Sequence, residues 1–184
     1  RQLSREKLLP IVQNGNIAVV TGFIGATESG ITTTLGRGGS DYTAAILGAS
    51  LDADQVLIWT DVKGILTADP RLVPDAHILR HLSYQEAEEL AYFGASVLHP
   101  KTVAPLAKAD IPFCILSSFE PDDPGTFISK KTPLDRKAYP AIISTEDLVL
   151  LGINGNGSGW TLNMASRALR CLADRGIDVL MFSQ

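Results

Sequence analysis

The sequence predicts an α/β fold built on an open, largely parallel sheet, and three observations carry that expectation. The apolar β-branched run Ile17-Ala18-Val19-Val20 reads as a buried strand, and Val56-Leu57-Ile58-Trp59 reads as a second. Between them, Ala44, Leu47 and Leu51 recur at the spacing of one helical face. A glycine-rich loop precedes that helix. Strand, glycine loop, helix and strand in this order form a βαβ-type unit, which favours a parallel sheet.

Composition narrows the class. The 184 residues are 45% hydrophobic and 20% charged, as in an ordinary globular domain. A chain of this length buries enough surface to hold a core without disulfides or metal. Its 16 Lys and Arg against 20 Asp and Glu give a net charge of −4, which argues against a surface devoted to nucleic acid. No apolar run reaches the roughly 18 residues of a membrane helix, and the opening RQLSREKLLP has no apolar signal core. Cys114 and Cys171 form no CxxC, so free thiols in a reducing, cytoplasmic compartment are expected. The chain begins at Arg1 rather than Met and reads as a piece of a longer protein.

The remaining elements follow in order. Gly22 to Gly36 reads as a loop or hairpin, and Ser40 or Asp41 as the cap of the first helix. Thr60 to His81 reads as a loop, with turn chemistry at Asp69-Pro70-Arg71 and Val73-Pro74-Asp75. Ser83-Tyr84-Gln85-Glu86 is a capping box opening a helix that buries Ala87, Leu90 and Ala91, with Gly94 as its C-terminal cap. Pro100 opens another helix, with Val103, Leu106 and Ala107 on its apolar side, and His99 caps or packs it. Ile111 to Leu116 is a further strand with Cys114 in the core. Five prolines then fall at 112, 121, 124, 133 and 140, and residues 130–139 are polar and basic. We expect a domain boundary there, with residues 1–132 before it, a linker over 133–140 and a second unit over 141–184. That unit reads as βαβ: a strand at Leu148–Ile153, a loop at Asn154–Gly159, a helix with Ala165, Ala168, Leu169 and Leu172 on one face, and a strand at Ile177–Phe182.

Two constellations are suited to chemistry. In Gly36-Arg37-Gly38-Gly39-Ser40-Asp41 the glycines allow close backbone approach, and the following helix N-terminus offers unpaired N–H groups to an anion. Arg37 adds a fork that fits a carboxylate. Asp41 would repel such a ligand unless a cation, a lysine or a metal ion, stands between them. The plain alternative is a helix cap with a solvent-exposed arginine. The second constellation, Trp59-Thr60-Asp61-Val62 with Gly64 and Asp69-Pro70-Arg71, follows a parallel strand, and ligands gather at the carboxyl ends of such strands. Thr60 and Asp61 suit a nucleotide and Arg71 a phosphate; the alternative is an ordinary turn with a capping Asp. His77 and His81 stand at i, i+4 without an acidic pair, so no metal site is expected.

Taken together, these segments resemble the aspartokinases. Thr33-Thr34-Leu35-Gly36-Arg37-Gly38-Gly39-Ser40-Asp41-Tyr42 looks like that family's central signature, and Trp59 to Gly64 with Thr67-Ala68-Asp69-Pro70-Arg71 looks like its nucleotide segment. Tyr92 to Pro100 looks like the helix junction that follows. The likeness runs in order from about Gly22 to Thr132 and implies the amino-acid-kinase fold, an open mainly parallel sheet with helices on both faces. The 148–182 unit is similar to half of an ACT domain, a regulatory amino-acid-binding module.

The resemblance implies phosphoryl transfer from ATP, with Mg2+, to the β-carboxylate of L-aspartate, giving 4-phospho-L-aspartate for lysine, threonine and methionine synthesis. It implies that Arg37 binds the substrate carboxylate, with Gly38, Gly39 and Ser40 shaping the pocket. Asp41 orients a catalytic lysine. Thr60, Asp61, Leu66, Arg71 and Ser96 bind ATP. Two positions depart from the family pattern: Ser96 stands where a lysine is usual, and Leu66 where an aromatic is common. The family's Lys-Phe-Gly-Gly segment is not in this sequence, so the chain alone is expected to be inactive. A regulatory lysine or threonine and a homodimer through ACT domains are implied partners. The alternatives are another member of the superfamily (acetylglutamate, glutamate 5- or uridylate kinase) or a non-catalytic ACT sensing module.

Overall fold

The computed structural model describes residues 2–93, 97–133, 140–146, 148–153 and 161–183. It divides into two compact units, Arg1–Ser144 and Thr145–Gln184. The first is an α/β unit around a four-stranded mixed sheet. Among the described residues, no helix is long and apolar enough to cross a membrane.

The first unit opens with helix α1 (Gln2–Gln13), then a hairpin of β1 (Ile24–Ala26) and β2 (Thr32–Thr34), then α2 (Gly39–Leu51) and β3 (Val56–Thr60). The chain continues through β4 (His81–Ser83), α3 (Tyr84–Tyr92), α4 (Pro100–Ala109), β5 (Phe113–Ser117) and β6 (Thr126–Ser129). The sheet order is β3-β5-β6-β4. β3 runs parallel to β5 with Thr60 opposite Ser117, β4 runs parallel to β6, and β5 and β6 are antiparallel.

The sheet's core is β5, whose five residues are all buried. Phe113, Ile115 and Ile128 pack with Val103 and Leu106 of α4, Ala45 of α2 and Ala87 of α3 in one cluster. Along β3 the side chains alternate, as a half-covered strand requires: Val56 and Ile58 are buried, while Leu57 and Trp59 are each 48% exposed. Gly48 lets α2 lie close to β3, because a Cβ there would stand 2.5 Å from Val56 Cγ2.

Several expectations hold at the level of single residues. The segment before α2 is a hairpin. The capping box of α3 is formed: Ser83 Oγ accepts from the Glu86 amide at 3.2 Å, and Glu86 Oε2 accepts from the Ser83 amide at 2.8 Å. Pro100 is the first residue of α4, and His99 caps it by accepting from the Lys101 amide through Nδ1 at 3.2 Å. α3 ends at Tyr92 with Phe93 as its cap; Gly94 lies outside the described residues.

Other expectations are corrected. Ile17–Val20 is not a buried strand: Ile17 and Val19 are 91% and 94% exposed. Strand propensity stabilises only a run that finds a ladder partner and a surface to cover, and this run has neither among the described residues. Helix α1 precedes it, over a stretch with no clear apolar periodicity. α1 is tied down by Arg5, which pairs with Asp52 at the C-cap of α2, a favourable place for a cation. In α2 the buried residues are Gly39, Ala45, Gly48 and Ser50, while Ala44, Leu47 and Leu51 of the expected face are only partly buried. The helix packs through its small residues rather than its leucines. β4 and β6, of three and four residues, were too short to announce themselves by pattern.

In the second unit, α5 (Leu162–Ala173) forms as expected, with Thr161 as N-cap and Ala165 buried. The flanking segments 148–153 and 177–183 are not strands, and Val149 and Leu150 are 91% and 98% exposed. Both runs are apolar enough to suit a strand, but no backbone ladder pairs them among the described residues. The loop expected at Asn154–Gly159 lies outside the described residues.

Candidate functional site

The glycine loop is held from three sides. Gly36 and Gly38 have φ of 78° and 68°, the left-handed region that non-glycine residues reach only at a cost. The Gly39 amide donates to Gly36 O at 3.0 Å, closing the turn into α2. Neither Ser40 nor Asp41 caps the helix. Gly38 is the N-cap, and no side chain bonds the first amides. Among the described residues, the amides of Ser40 and Asp41 meet no acceptor, which leaves a helix N-terminus open to an anion.

The glycines are dictated by neighbours. A Cβ on Gly38 would meet His99 Cβ at 2.8 Å, and one on Gly39 would meet the Phe23 ring at 2.7 Å. Phe23 itself sits at φ 70°, held by its amide on Thr43 Oγ1 at 3.0 Å and by the Leu35 amide on its carbonyl at 2.9 Å. Thr43 Oγ1 in turn donates to Gly39 O at 2.7 Å. A strained bulky residue, the glycine turn and the first turn of α2 thus form one hydrogen-bonded block. Arg37 is exposed and bonds nothing among the described residues. Asp41 is partly buried, and that burial pushes its carboxyl above the ordinary range.

The nucleotide segment stands on the same edge of the sheet. A short connection, Asp52 to Gln55, joins the C-terminus of α2 to the start of β3. α2 therefore runs against β3 and places its N-terminus at the strand's carboxyl end. α4 is related to β5 in the same way. Gly38, His99, Thr60 and Ser117 accordingly share one edge, where ligands of open α/β sheets bind. Thr60 Oγ1 donates to Asp61 Oδ1 at 3.1 Å, and Asp61 is exposed.

Leu66 lies in a short extended piece bridged to Ile78. Arg71 is folded onto Asp69, with Nε to Oδ1 at 3.1 Å and Nη2 to Oδ2 at 2.6 Å. That pairing holds the Asp69 carboxyl below its usual range. Ser96 lies outside the described residues. The structure thus gathers residues 37–41 on one helix start and Thr60 and Asp61 on the adjacent strand end, and it leaves Arg71 on a separate turn. Two contributors escaped sequence reasoning in this role: Phe23 as a clamp and His99 as a wedge under Gly38. The positive φ of Phe23 has no signature in its residue type.

An open α/β sheet with a glycine turn leading into a helix at the strands' carboxyl edge is the frame of a ligand-binding α/β protein. The family model of the amino acid kinase family matches residues 1–117, and the chain belongs to that family. Its relatives are more particular. The chain is 44% identical over 176 residues to the chloroplastic bifunctional aspartokinase/homoserine dehydrogenase 2 of Zea mays, covering 94% of this chain and 19% of the relative. It is 49% identical over 131 residues to lysine-sensitive aspartokinase 3 of Escherichia coli (strain K12), covering 71% of this chain and 29% of that protein. Among solved structures, E. coli aspartokinase III in complex with aspartate and ADP (R-state) is similar over 100% of this chain and 40% of its own, with a TM-score of 0.77 and 36% identity. The chain spans about a fifth of the length of the bifunctional relatives it matches.

Proposed function

We propose that the protein to which this chain belongs is an aspartate kinase, transferring the γ-phosphoryl group of ATP to the β-carboxylate of L-aspartate. The observation that carries this reading is the glycine turn at the open N-terminus of α2, on the same sheet edge as Thr60 and Asp61. The similarity to an aspartokinase structure containing aspartate and ADP supports it.

The roles follow from the chemistry of each group. Arg37, exposed and unengaged, offers a planar fork to the substrate carboxylate. Gly38, Gly39 and Ser40 present backbone to the same anion, with the α2 dipole behind them. Asp41 sits in that first turn, and the resemblance to the aspartokinases implies that it orients a lysine. Thr60 and Asp61 hold the nucleoside. Arg71 turns from Asp69 towards phosphate, and Leu66 and Ser96 complete the ATP site. Mg2+ keeps several waters and takes phosphate oxygens with one or two carboxylates. The nucleotide can therefore carry it without a protein cage, and the metal neutralises charge on the transferring group.

In this reading residues 1–132 are the nucleotide-binding part of the kinase domain, 133–140 a linker and 141–184 part of an ACT-like regulatory domain. The division into compact units at Ser144 and Thr145 supports two parts, although Ile142 donates to Thr67 O at 2.8 Å and so adheres to the first. A regulatory lysine or threonine, a homodimer through the ACT-like part and a cytoplasmic location belong to the same reading. The 184 residues alone lack the Lys-Phe-Gly-Gly segment and are expected to bind nucleotide without turnover.

An ATP- and aspartate-dependent hydroxamate assay tests both statements. The full-length protein should phosphorylate aspartate and leave N-acetylglutamate, glutamate and UMP untouched. The 184-residue chain should show ATP binding by calorimetry and no turnover. Turnover on UMP or N-acetylglutamate in place of aspartate would overturn the assignment.

A further inference from the structure

We propose that Phe119 is the aromatic platform on which the base of the bound nucleotide stacks; this rests on the nucleotide reading given above. The register of the parallel pair places Thr60 opposite Ser117, so the loops leaving β3 and β5 start side by side. Two cross-links keep them together. The Ser118 amide donates to Thr60 O at 2.8 Å, and Lys63 Nζ pairs with Glu120 Oε1 at 2.6 Å. Phe119 lies between these ties, so its backbone is fixed beside Asp61 and Val62.

The rest of its loop is equally fixed. The Phe119 amide donates to Ser117 Oγ at 3.3 Å, and the Asp123 amide donates to Glu120 O at 3.1 Å. Asp123 accepts from the Gly125 amide at 2.8 Å and from the Arg80 guanidinium through both oxygens. Gly125, at φ 62°, passes so close to Ile115 O that a Cβ would stand 2.0 Å from it. Pro121 and Pro124 remove further freedom.

On this stiff loop the Phe119 ring is 78% exposed. A large apolar ring on an ordered backbone, standing free at the ligand-binding edge of the sheet, is preorganised for a flat partner. The residues proposed above for the nucleotide, Thr60, Asp61, Leu66, Arg71 and Ser96, include no aromatic ring to stack on the base. A purine is the flat, electron-poor heterocycle that an unpartnered phenyl ring accepts by offset stacking.

Calorimetry with ATP and with inorganic tripolyphosphate, on the chain and on F119A and F119W, tests this. Loss of a stacked pair should weaken ATP by about three- to tenfold in F119A, leave tripolyphosphate unchanged, and be restored in F119W. In addition, the fluorescence of F119W, corrected for that of Trp59 and Trp160 in the parent chain, should be quenched by ATP and not by tripolyphosphate, a readout that does not depend on F119A being well behaved. Unchanged ATP affinity in F119A, an equal loss for both ligands, or no quenching in F119W would overturn the proposal. A shift of oligomeric state in F119A, with ATP affinity intact, would instead assign the ring to a contact between copies. Failure of the parent chain to bind ATP at all would remove the nucleotide reading itself, and this proposal with it.

Discussion

His99, the N-cap of α4, packs against Gly38, the N-cap of α2, so closely that a Cβ on Gly38 would stand 2.8 Å from His99 Cβ. Two helix starts therefore meet at one glycine. Gly38→Ala has to accept both a left-handed backbone, costing about 1–2 kcal/mol, and that clash. We expect the double variant G38A/H99G, which removes the His99 Cβ, to recover the clash but not the backbone cost. Urea unfolding of the two single variants and the double separates the two parts. Equal stability of G38A and the native chain would contradict the geometry.

Gly48 offers a contrasting case, because its backbone is helical. In a solvent-facing helix Gly→Ala stabilises by about 1 kcal/mol. Here the added methyl would lie 2.5 Å from Val56 Cγ2, and overpacking of that kind costs about 1–3 kcal/mol. G48A should therefore destabilise, and G48A/V56A should be more stable than the sum of the two single effects. Strict additivity in thermal denaturation would count against a direct contact between α2 and β3.

The Arg80–Asp123 pair predicts a pH response. Asp123 is held at about 2, below its ordinary 3.8, chiefly by its hydrogen bonds from the Arg80 guanidinium and then from the Gly125 amide. Between these values the unfolded chain binds the proton and the folded chain does not. The pair's contribution is thus present above about pH 4 and is lost as pH falls towards about 2. Asp123→Asn should flatten that part of the stability profile and leave neutral pH little changed in slope. The measurement is Tm against pH for both proteins.

On the proposed function, Arg37→Ala in the full-length protein should mainly raise the KM for aspartate, by about tenfold or more for a lost charged hydrogen bond. Asp41→Asn should mainly lower kcat. Because burial disfavours the Asp41 charge, D41N should also hold or raise Tm while activity falls, the signature of a group kept for function rather than stability. Steady-state kinetics beside a thermal melt decide it; the reverse kinetic pattern would exchange the two roles.

How much of this was legible depended on whether a signal was local. The capping box at Ser83 and Glu86, Pro100 at its helix start and the buried β5 follow from neighbours within a few residues. The candidate residues 37–41 and 60–61 could be picked out for the same reason: glycine turns and strand ends are written in short runs. Ile17–Val20 misled because its strand-like composition needed a partner that sequence does not name. The buried side of α2 misled because Gly48 and Ala45 carry little hydrophobic weight, yet they are what allows close approach. His99 and Phe23 touch the glycine turn from distant positions in the chain, and such contacts have no periodicity to detect.

The parallel pairing of β3 with β5 has a kinetic consequence. Val56 finds its partner only at Phe113, with β4, α3 and α4 intervening. Closing so long a loop must precede any gain from the ladder, which slows folding relative to local hairpins. The edge that carries Thr60 and Ser117 thus cannot exist in a half-folded chain. The ligand edge should mature late and all at once, so a ligand that recognises it will distinguish the finished molecule from every earlier compact species.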